Sequence, residues 1–315
     1  ALQPSNSKEV NTPPSKKNPF NINADEIIIN KGALAIDSDF ENPYPNFDGT
    51  HLNFFGINAS IKNVFVSEKE IKAIISLSAK ERSGLVVKKL NTSFTFNPSI
   101  MEFSNLDLQT NRSRIGNYYA MKFTNFNEDF NNYNSNVVMV ANIKESTIHT
   151  DDITFFAPAM SIFKTKALLS GNYKGTVENF TVNQLQLKTG SNSVLTGTFS
   201  MKGLPAIETT QITLEKGFAQ SNYKDLAQFI PAIQNIKNPN FASLGTILYR
   251  GDFKGTTFDF VTKGVFSSAL GGINTDINLK LPKKGEASYK GNLETLAFNL
   301  GKFTNNADLG AIDFK

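Results

Sequence analysis

Residues 258–280 read FDFVTKGVFSSALGGINTDINLK. Polar and apolar residues alternate at Phe258-Asp259-Phe260 and again at Ile277-Asn278-Leu279, with Gly271-Gly272 between them. Successive side chains of a strand point to opposite faces, so a period of two marks a strand with one face turned from water. A glycine pair between two such runs turns the chain back. The same alternation recurs at Phe94-Thr95-Phe96, Leu106-Asp107-Leu108 and Leu185-Gln186-Leu187. Further turn signals stand at Thr189-Gly190-Ser191-Asn192, Pro282-Lys283-Lys284-Gly285 and Asn305-Asn306. Their spacing of about 8 to 12 residues predicts an antiparallel meander. Ser67-Glu68-Lys69-Glu70 fits a helix capping box. Yet Ile71, Ala73, Ile75, Leu77 and Ala79 alternate with mostly polar residues, which predicts a turn followed by a strand.

The totals exclude several classes. The 315 residues include no cysteine and no tryptophan, which removes disulfides, thiolate metal sites and a cysteine nucleophile. The two histidines, His51 and His149, are far apart, and both are expected to make local polar contacts. A net charge of +4 is mild for this length. The lysine clusters are pairs (Lys16-Lys17, Lys88-Lys89, Lys283-Lys284), not the basic patch of a nucleic-acid binder. No apolar run is long enough for a transmembrane helix, and Ala1 does not open a secretory signal. Targeting segments are therefore expected to have been removed, or to lie outside the given sequence. Residues 1–20 are rich in Pro, Ser, Asn and Lys and read as a linker or arm.

Two short helices are expected at Asp152–Ala159 and Asp225–Ala232, which share the pattern Asp-[Ile/Leu]-x-x-Phe-x-Pro-Ala. Each Asp can cap the first free N–H groups, and each Pro limits the helix. Ile153 and Phe156, like Leu226 and Phe229, are spaced to share a face. Each helix is followed by a matching strand entry, Gly171-Asn172-Tyr173-Lys174-Gly175-Thr176 and Gly251-Asp252-Phe253-Lys254-Gly255-Thr256, with a weaker echo at Tyr289-Lys290-Gly291. Leu106–Thr110 likewise resembles Leu185–Thr189. Motifs recurring in order at about 70 to 80 residues predict stacked repeats. The expected organisation is an arm (1–20), an amino-terminal β-region (21–151), a repeat with its leading helix (152–224) and a second, truncated repeat (225–315).

No motif for covalent chemistry emerges. Gly-x-Ser-x-Gly and a phosphate loop ending in Gly-Lys-Ser/Thr are both missing. The adjacent acid pairs, Asp151-Asp152 and Glu128-Asp129, read as a helix cap and as part of an Asn-rich loop at 125–136. No enzyme activity, metal or cofactor is expected.

Taken in order, Phe47-Asp48-Gly49-Thr50-His51-Leu52, Lys80-Glu81-Arg82-Ser83-Gly84-Leu85, Leu106-Asp107-Leu108-Gln109-Thr110-Asn111, Gly203-Leu204-Pro205, the segment Asp225–Pro231 and Gly251–Thr256 resemble TamB/AsmA-like proteins of the Bacteroidota, in their amino-proximal periplasmic β-repeats. The resemblance covers about residue 22 to the end. It implies a mostly β fold, an extended antiparallel sheet of repeats curved into a taco-like groove, with two or three short helices. It implies an inner-membrane anchor in the full-length protein, a periplasmic location, and a role in phospholipid transport to the outer membrane and in its biogenesis. The alternative is a scaffold pairing exposed sheet edges with nascent outer-membrane protein or its assembly machinery. The expected partner is phospholipid, with no nucleic acid. A meander of roughly 20 strands would run on the order of 100 Å, and Phe94, Phe96, Leu106, Leu108, Leu185, Leu187, Phe258 and Phe260 are the expected groove lining.

Overall fold

The computed structural model describes residues 20–37, 42–162, 164–229, 231–281 and 286–315. The arm expected before Phe20 and the Pro282–Gly285 turn lie outside the described residues. Fifteen strands form one sheet: β1 (Asn21–Ile36), β2 (Leu52–Ser67), β3 (Ile71–Glu81), β4 (Val86–Asn97), β5 (Ile100–Gln109), β6 (Arg114–Lys122), β7 (Val138–His149), β8 (Lys166–Gly175), β9 (Asn179–Thr189), β10 (Ser193–Lys202), β11 (Gln211–Asn222), β12 (Thr246–Gly255), β13 (Asp259–Ser268), β14 (Gly271–Lys280) and β15 (Ser288–Leu296). Spatial order equals chain order, every neighbouring pair is antiparallel, and the sheet does not close into a barrel. The fold is thus mostly β, as the alternation predicts, with 15 strands where the sequence led us to expect about 20. Segment 67–80 turns at Ser67, whose hydroxyl accepts from the Lys69 and Glu70 amides, and then enters β3.

The turns divide between two ends. At one end, called upper here, tight turns at 82–85, 110–113, 190–192 and 269–270 interleave with longer segments at 42–51, 150–165, 223–245 and 297–315. The last three contain α3 (Thr150–Ile153), α4 (Tyr223–Phe229) and α5 (Leu300–Thr304), with 3-10 turns at Pro158–Ile162, Pro231–Asn235 and Phe241–Leu244. A small pair, β16 (Phe298–Asn299) and β17 (Ala311–Ile312), belongs to the final segment. At the lower end, α1 (Phe126–Asn131) and α2 (Tyr133–Asn136) join β6 to β7. This corrects the Asn-rich loop: Asn125 accepts from the Asn127 and Glu128 amides as an N-cap, and Asp129 is buried, accepting from Thr124 and Asn125.

The sheet bends along a line across its middle. Asn105, Asn117, Glu145, Gln184 and Lys216 adopt left-handed backbone (φ between 44° and 94°) beside register shifts in β5, β6, β7, β9 and β11. An extra residue on one strand bends it and raises its twist. On β12 and β13 the line is continued by Gly251 opposite Gly264. A Cβ on Gly251 would stand 2.2 Å from the Lys263 carbonyl oxygen, so only glycine permits this approach. On the outer side an amide ladder follows the bend, Asn117 donating to Asn142, Asn142 to Asn172, and Asn172 to Gln184.

Candidate functional site: a charge-free concave face

Residues directly opposite in an antiparallel pair share a face. One row can be traced from β3 to β15: Ala73, Phe94, Phe103, Tyr119, Ala141, Tyr173, Val182, Phe199, Leu214, Phe253, Thr262, Ile277, Gly291. The row two residues lower is also uncharged, and it holds Met101, Met121, Met139 and Met201, four of the five methionines. The row between them faces the other way and carries Lys72, Glu102, Lys174, Lys254 and Lys290. Charge is thus confined to one side of the sheet over these positions.

The apolar side is the inner one. Leu106, Leu185 and Leu214 on it are only 7, 5 and 7% exposed, although no second sheet lies over them. A flat sheet without a covering layer would leave such side chains in water. The bend lets neighbouring strands bury one another's side chains. Ring pairs run across the strands on this face: Phe94 with Phe103 at 5.3 Å, Tyr173 with Phe180 at 4.9 Å, Phe253 with Phe260 at 5.0 Å and Tyr249 with Phe266 at 4.5 Å. Such pairs add about 0.5–1.5 kcal/mol each beyond area burial.

Seven of the eight expected lining residues lie on this face within the paired strands. Phe94, Phe96 and Phe260 lie on the two lower rows, Leu106 and Leu185 beside the bend, and Leu108 and Leu187 above it. Phe258, two residues before Phe260, continues the pairing with β14, its carbonyl accepting from the Leu281 amide at 2.7 Å. It sits in the bend before β13, 39% exposed, because the turn opened at Thr256 runs through it. The seven are spread from β4 to β13 and do not converge on one point. Phe96 packs under the lower helices, with its ring 5.6 Å from Phe126. Phe123, Phe126, Phe130 and Tyr133 continue that cluster, and Tyr133 reaches the Tyr119 hydroxyl at 3.2 Å. Burial, then the neighbouring Tyr133, pushes the Tyr119 hydroxyl well above its ordinary range. The face at the lower end of β4–β7 is therefore filled by the chain's own aromatic plug.

The upper segments form a partial roof. Asp152 was expected to cap its helix, but His149 is the cap, its ring nitrogen accepting from the Asp151 amide. The Asp152 carboxylate instead reaches back to the β5–β6 turn and accepts from the Arg112 and Ser113 amides and the Thr110 hydroxyl. Asp225 repeats the device one unit later, while Asn222 accepts from its amide. Its carboxylate, 1% exposed, accepts from the Ser191 and Asn192 amides and the Ser191 and Ser193 hydroxyls of the β9–β10 turn. Burial alone would raise its pKa, but these donors outweigh it and hold the carboxyl at about 2. This gives the sequence repeat its physical content: a carboxylate fastens the turn two strands behind it. Gly171–Thr176 and Gly251–Thr256 prove to close the first strand after each such segment, not to enter it. The Thr176 and Thr256 amides then turn onto the Asn179 and Asp259 carbonyls at 2.9 and 2.8 Å. Tyr289-Lys290-Gly291 lies on the last strand of its group, so it does not match them in place.

The first and second segments touch, the Phe47 amide donating to the Phe155 carbonyl, with the Phe47 and Phe156 rings 4.9 Å apart. His51 is in a turn as expected but is buried, its Nδ1 3.0 Å from Asp48. Under the third and fourth segments two apolar cavities of about 380 and 290 Å³ lie against the upper half of β11–β15. The first is lined by Leu214, Leu226, Tyr249, Phe253 and Phe260, the second by Leu244, Ile273, Leu293, Phe298 and Phe303; Ile247 and Phe266 line both. Phe253, Phe260 and Leu226 among these are named in the sequence reading, and the final segment that completes the wall carries no periodic signal. Among the described residues no group of acidic, histidine or cysteine side chains could hold a metal ion. Comparison with family models, with curated proteins and with solved structures returned no match.

Proposed function

We propose that this chain holds and conducts lipid: hydrocarbon lies along the concave face, and the protein serves phospholipid transport to, and biogenesis of, an outer membrane from the periplasm. The observation that carries the reading is the uncharged inner rows from β3 to β15, in a sheet whose apolar side the aromatic plug and the upper segments cover only in part. Partition along such a face needs no covalent step, and each buried CH₂ contributes about 0.8 kcal/mol. Native mass spectrometry of the purified chain, with lipid extraction in parallel, is the test. Co-purifying or readily added phospholipid is expected, and a protein that stays lipid-free in both arms refutes the reading.

A second reading is favoured by the difference between the two sheet edges. The β15 edge is partly covered: the Thr295 amide donates to the Phe314 carbonyl and its hydroxyl to Ile312. Among the described residues no strand lies beside the outer edge of β1, which is 16 residues long and exposes Ile27 and Ile28 on opposite faces at 42 and 63%. Long apolar edges pair with other strands. This suits a scaffold for unfolded outer-membrane protein. Photocrosslinking from Ile28 to such a strand peptide, absent from β15, would favour it over lipid binding.

A further inference from the structure

Three of the methionines in the lower inner row stand side by side. Met101 on β5 is directly opposite Met121 on β6, and Met121 is directly opposite Met139 on β7. Directly opposite side chains leave the sheet with their Cβ atoms about 4.5–5.5 Å apart, so three thioethers rise from three consecutive strands on one side. Phe96 on β4 ends the run on one flank and Gly175 on β8 on the other. Tyr133 of α2 closes the group from the lower end. Its hydroxyl oxygen lies 3.6 Å from the Met121 sulfur, 3.4 Å from the Met139 sulfur and 3.2 Å from the Tyr119 hydroxyl. Two sulfurs therefore converge on one point. A hydroxyl has a single hydrogen to give, and a thioether accepts one only weakly, so these contacts leave most of the sulfur donor capacity unused. Packing alone does not call for methionine here, because it is a flexible filler. A wall that only excluded water would be built as well from the residues that hold the same row elsewhere, Ile212 on β11 and Leu279 on β14.

We infer that Met101, Met121 and Met139 form a binding site for one soft monovalent cation, Cu(I), held by their three thioether sulfurs. The donors decide the ion. Thioethers are soft ligands that select Cu(I), whereas Mg(II) and Ca(II) require oxygen donors. The positions are half-buried and their row carries no charge. Neutral ligands offset none of an ion's charge, so a monovalent ion is admitted to such a place far more readily than a divalent one. The sheet supplies the precision: each ligand stands on a strand paired on both sides, the rigid support that keeps a metal site in shape. The Tyr133 hydroxyl holds the point between two of the sulfurs through weak contacts, which the ion replaces. The site lies under the aromatic plug, in the filled part of the face, so the inference does not depend on the lipid reading.

The test uses the unmodified chain, isotope-labelled at the methionine methyl, which gives one signal for each of the five methionines. It is titrated in chloride-free buffer with Ag(I), a redox-inert ion of the same charge and softness, and separately with Cu(I) kept reduced by ascorbate under argon. The spectra of Met160→Leu and Met201→Leu identify the two signals that belong outside the site. Met160 stands in the 3-10 turn of the second upper segment, and Met201 is three strands, about 14 Å, from Met139. The other three signals are expected to shift together and to saturate at one equivalent of either ion, while these two stay in place and Zn(II) moves none. Met121→Leu, close to methionine in volume, is expected to weaken Ag(I) binding at least tenfold, and Met201→Leu to leave it unchanged. All five signals moving together without saturation would mean adventitious thioether binding only and would overturn the site, as would a titration that moves none of the three. Equal weakening by Met121→Leu and Met201→Leu overturns it too. If Met121→Leu does not fold, the signal pattern of the unmodified chain decides by itself.

Discussion

Replacing Asp225 with Asn removes half of a carboxylate both of whose oxygens are engaged. Its oxygens accept from two backbone amides and two hydroxyls at 2.8–3.0 Å, and the residue is 1% exposed. An asparagine keeps one acceptor and turns an amide N–H₂ toward donors. Both turn amides reach Oδ2, so an asparagine whose oxygen takes that place keeps them, and the Ser191 hydroxyl can rotate to accept from the new N–H₂. What is lost is the charge: hydrogen bonds to a charged group contribute about 1 kcal/mol more than neutral ones, so across four donors a local loss of about 2–4 kcal/mol follows. Asp152→Asn is the comparison. There three donors share one oxygen and the other buried oxygen has no partner, so losing the charge also relieves that unsatisfied oxygen and the cost is nearer 1 kcal/mol. Hydrogen exchange by mass spectrometry over peptides spanning 189–193 and 110–113 is the assay. Protection at the first turn is expected to fall by about 30- to 1,000-fold in Asp225→Asn, and at the second by about tenfold or less in Asp152→Asn. The pH dependence has a fixed sign. Because the folded carboxyl is held at about 2, below its ordinary 3.8, its stabilisation is present above about pH 4 and is lost as pH falls toward 2. Asn at 225 removes that acid step. Unchanged protection of the 189–193 turn in Asp225→Asn would refute the claim that this carboxylate fastens it.

Other consequences are as direct. Phe260 faces inward and its neighbour Val261 outward at 44% exposure, so Phe260→Asp is expected to cut co-purifying lipid at least tenfold by native mass spectrometry while Val261→Asp leaves it unchanged. Phe126→Ala removes the ring that links Phe96, Phe123 and Phe130; with the ring 38% exposed, about 2 kcal/mol is expected, read as faster exchange across 126–136. Gly251→Ala places a methyl against the Lys263 carbonyl and is expected to lower stability by about 1–3 kcal/mol in urea titration. Ile28→Lys on the open edge is expected to change stability by less than about 0.5 kcal/mol yet abolish crosslinking to strand peptides if the edge pairs with them.

What could be read from the sequence follows from where each signal resides. Alternation is a property of consecutive residues, so Phe94-Thr95-Phe96 or Leu185-Gln186-Leu187 declares both a strand and its inner face without knowledge of neighbours. The inner face was therefore legible, and the repeat also, because its turn and helix motifs recur in order. Asp152 and Asp225 misled because a helix-opening Asp is normally a cap, and the turns they bind lie 33 to 42 residues back. The helices at 126–136 are too short to show a period, and asparagine, a good cap, reads as loop. The upper wall of the cavities was invisible because Leu244, Phe298 and Phe303, which supply it, stand on segments with no pattern of their own.

A single bent sheet must both stand and leave an apolar face uncovered, and the residues divide that labour. Over β4–β7 the lower end of the face is filled by the chain's own rings, from Phe96 to Tyr133, and the turn above is fastened by Asp152. Over β11–β15 the face is instead left hollow, with the bend set by the backbone at Gly251 and Gly264 and not by bulky side chains. Stability and occupancy should therefore separate along the chain. Charge placed at Phe96 unfolds its own plug, whereas Ile277→Lys, half-buried in the hollow part, keeps the strand pairing of β13–β15 and removes only the hydrocarbon environment. The measurement is paired: urea stability and bound lipid on the same samples. Ile277→Lys is expected to lose lipid with a loss of stability of no more than about 2 kcal/mol, because the half-buried position lets the lysine stem reach toward water. A variant that unfolds, or that folds and still carries lipid at β13–β15, would contradict this division between the filled and the hollow halves of the face.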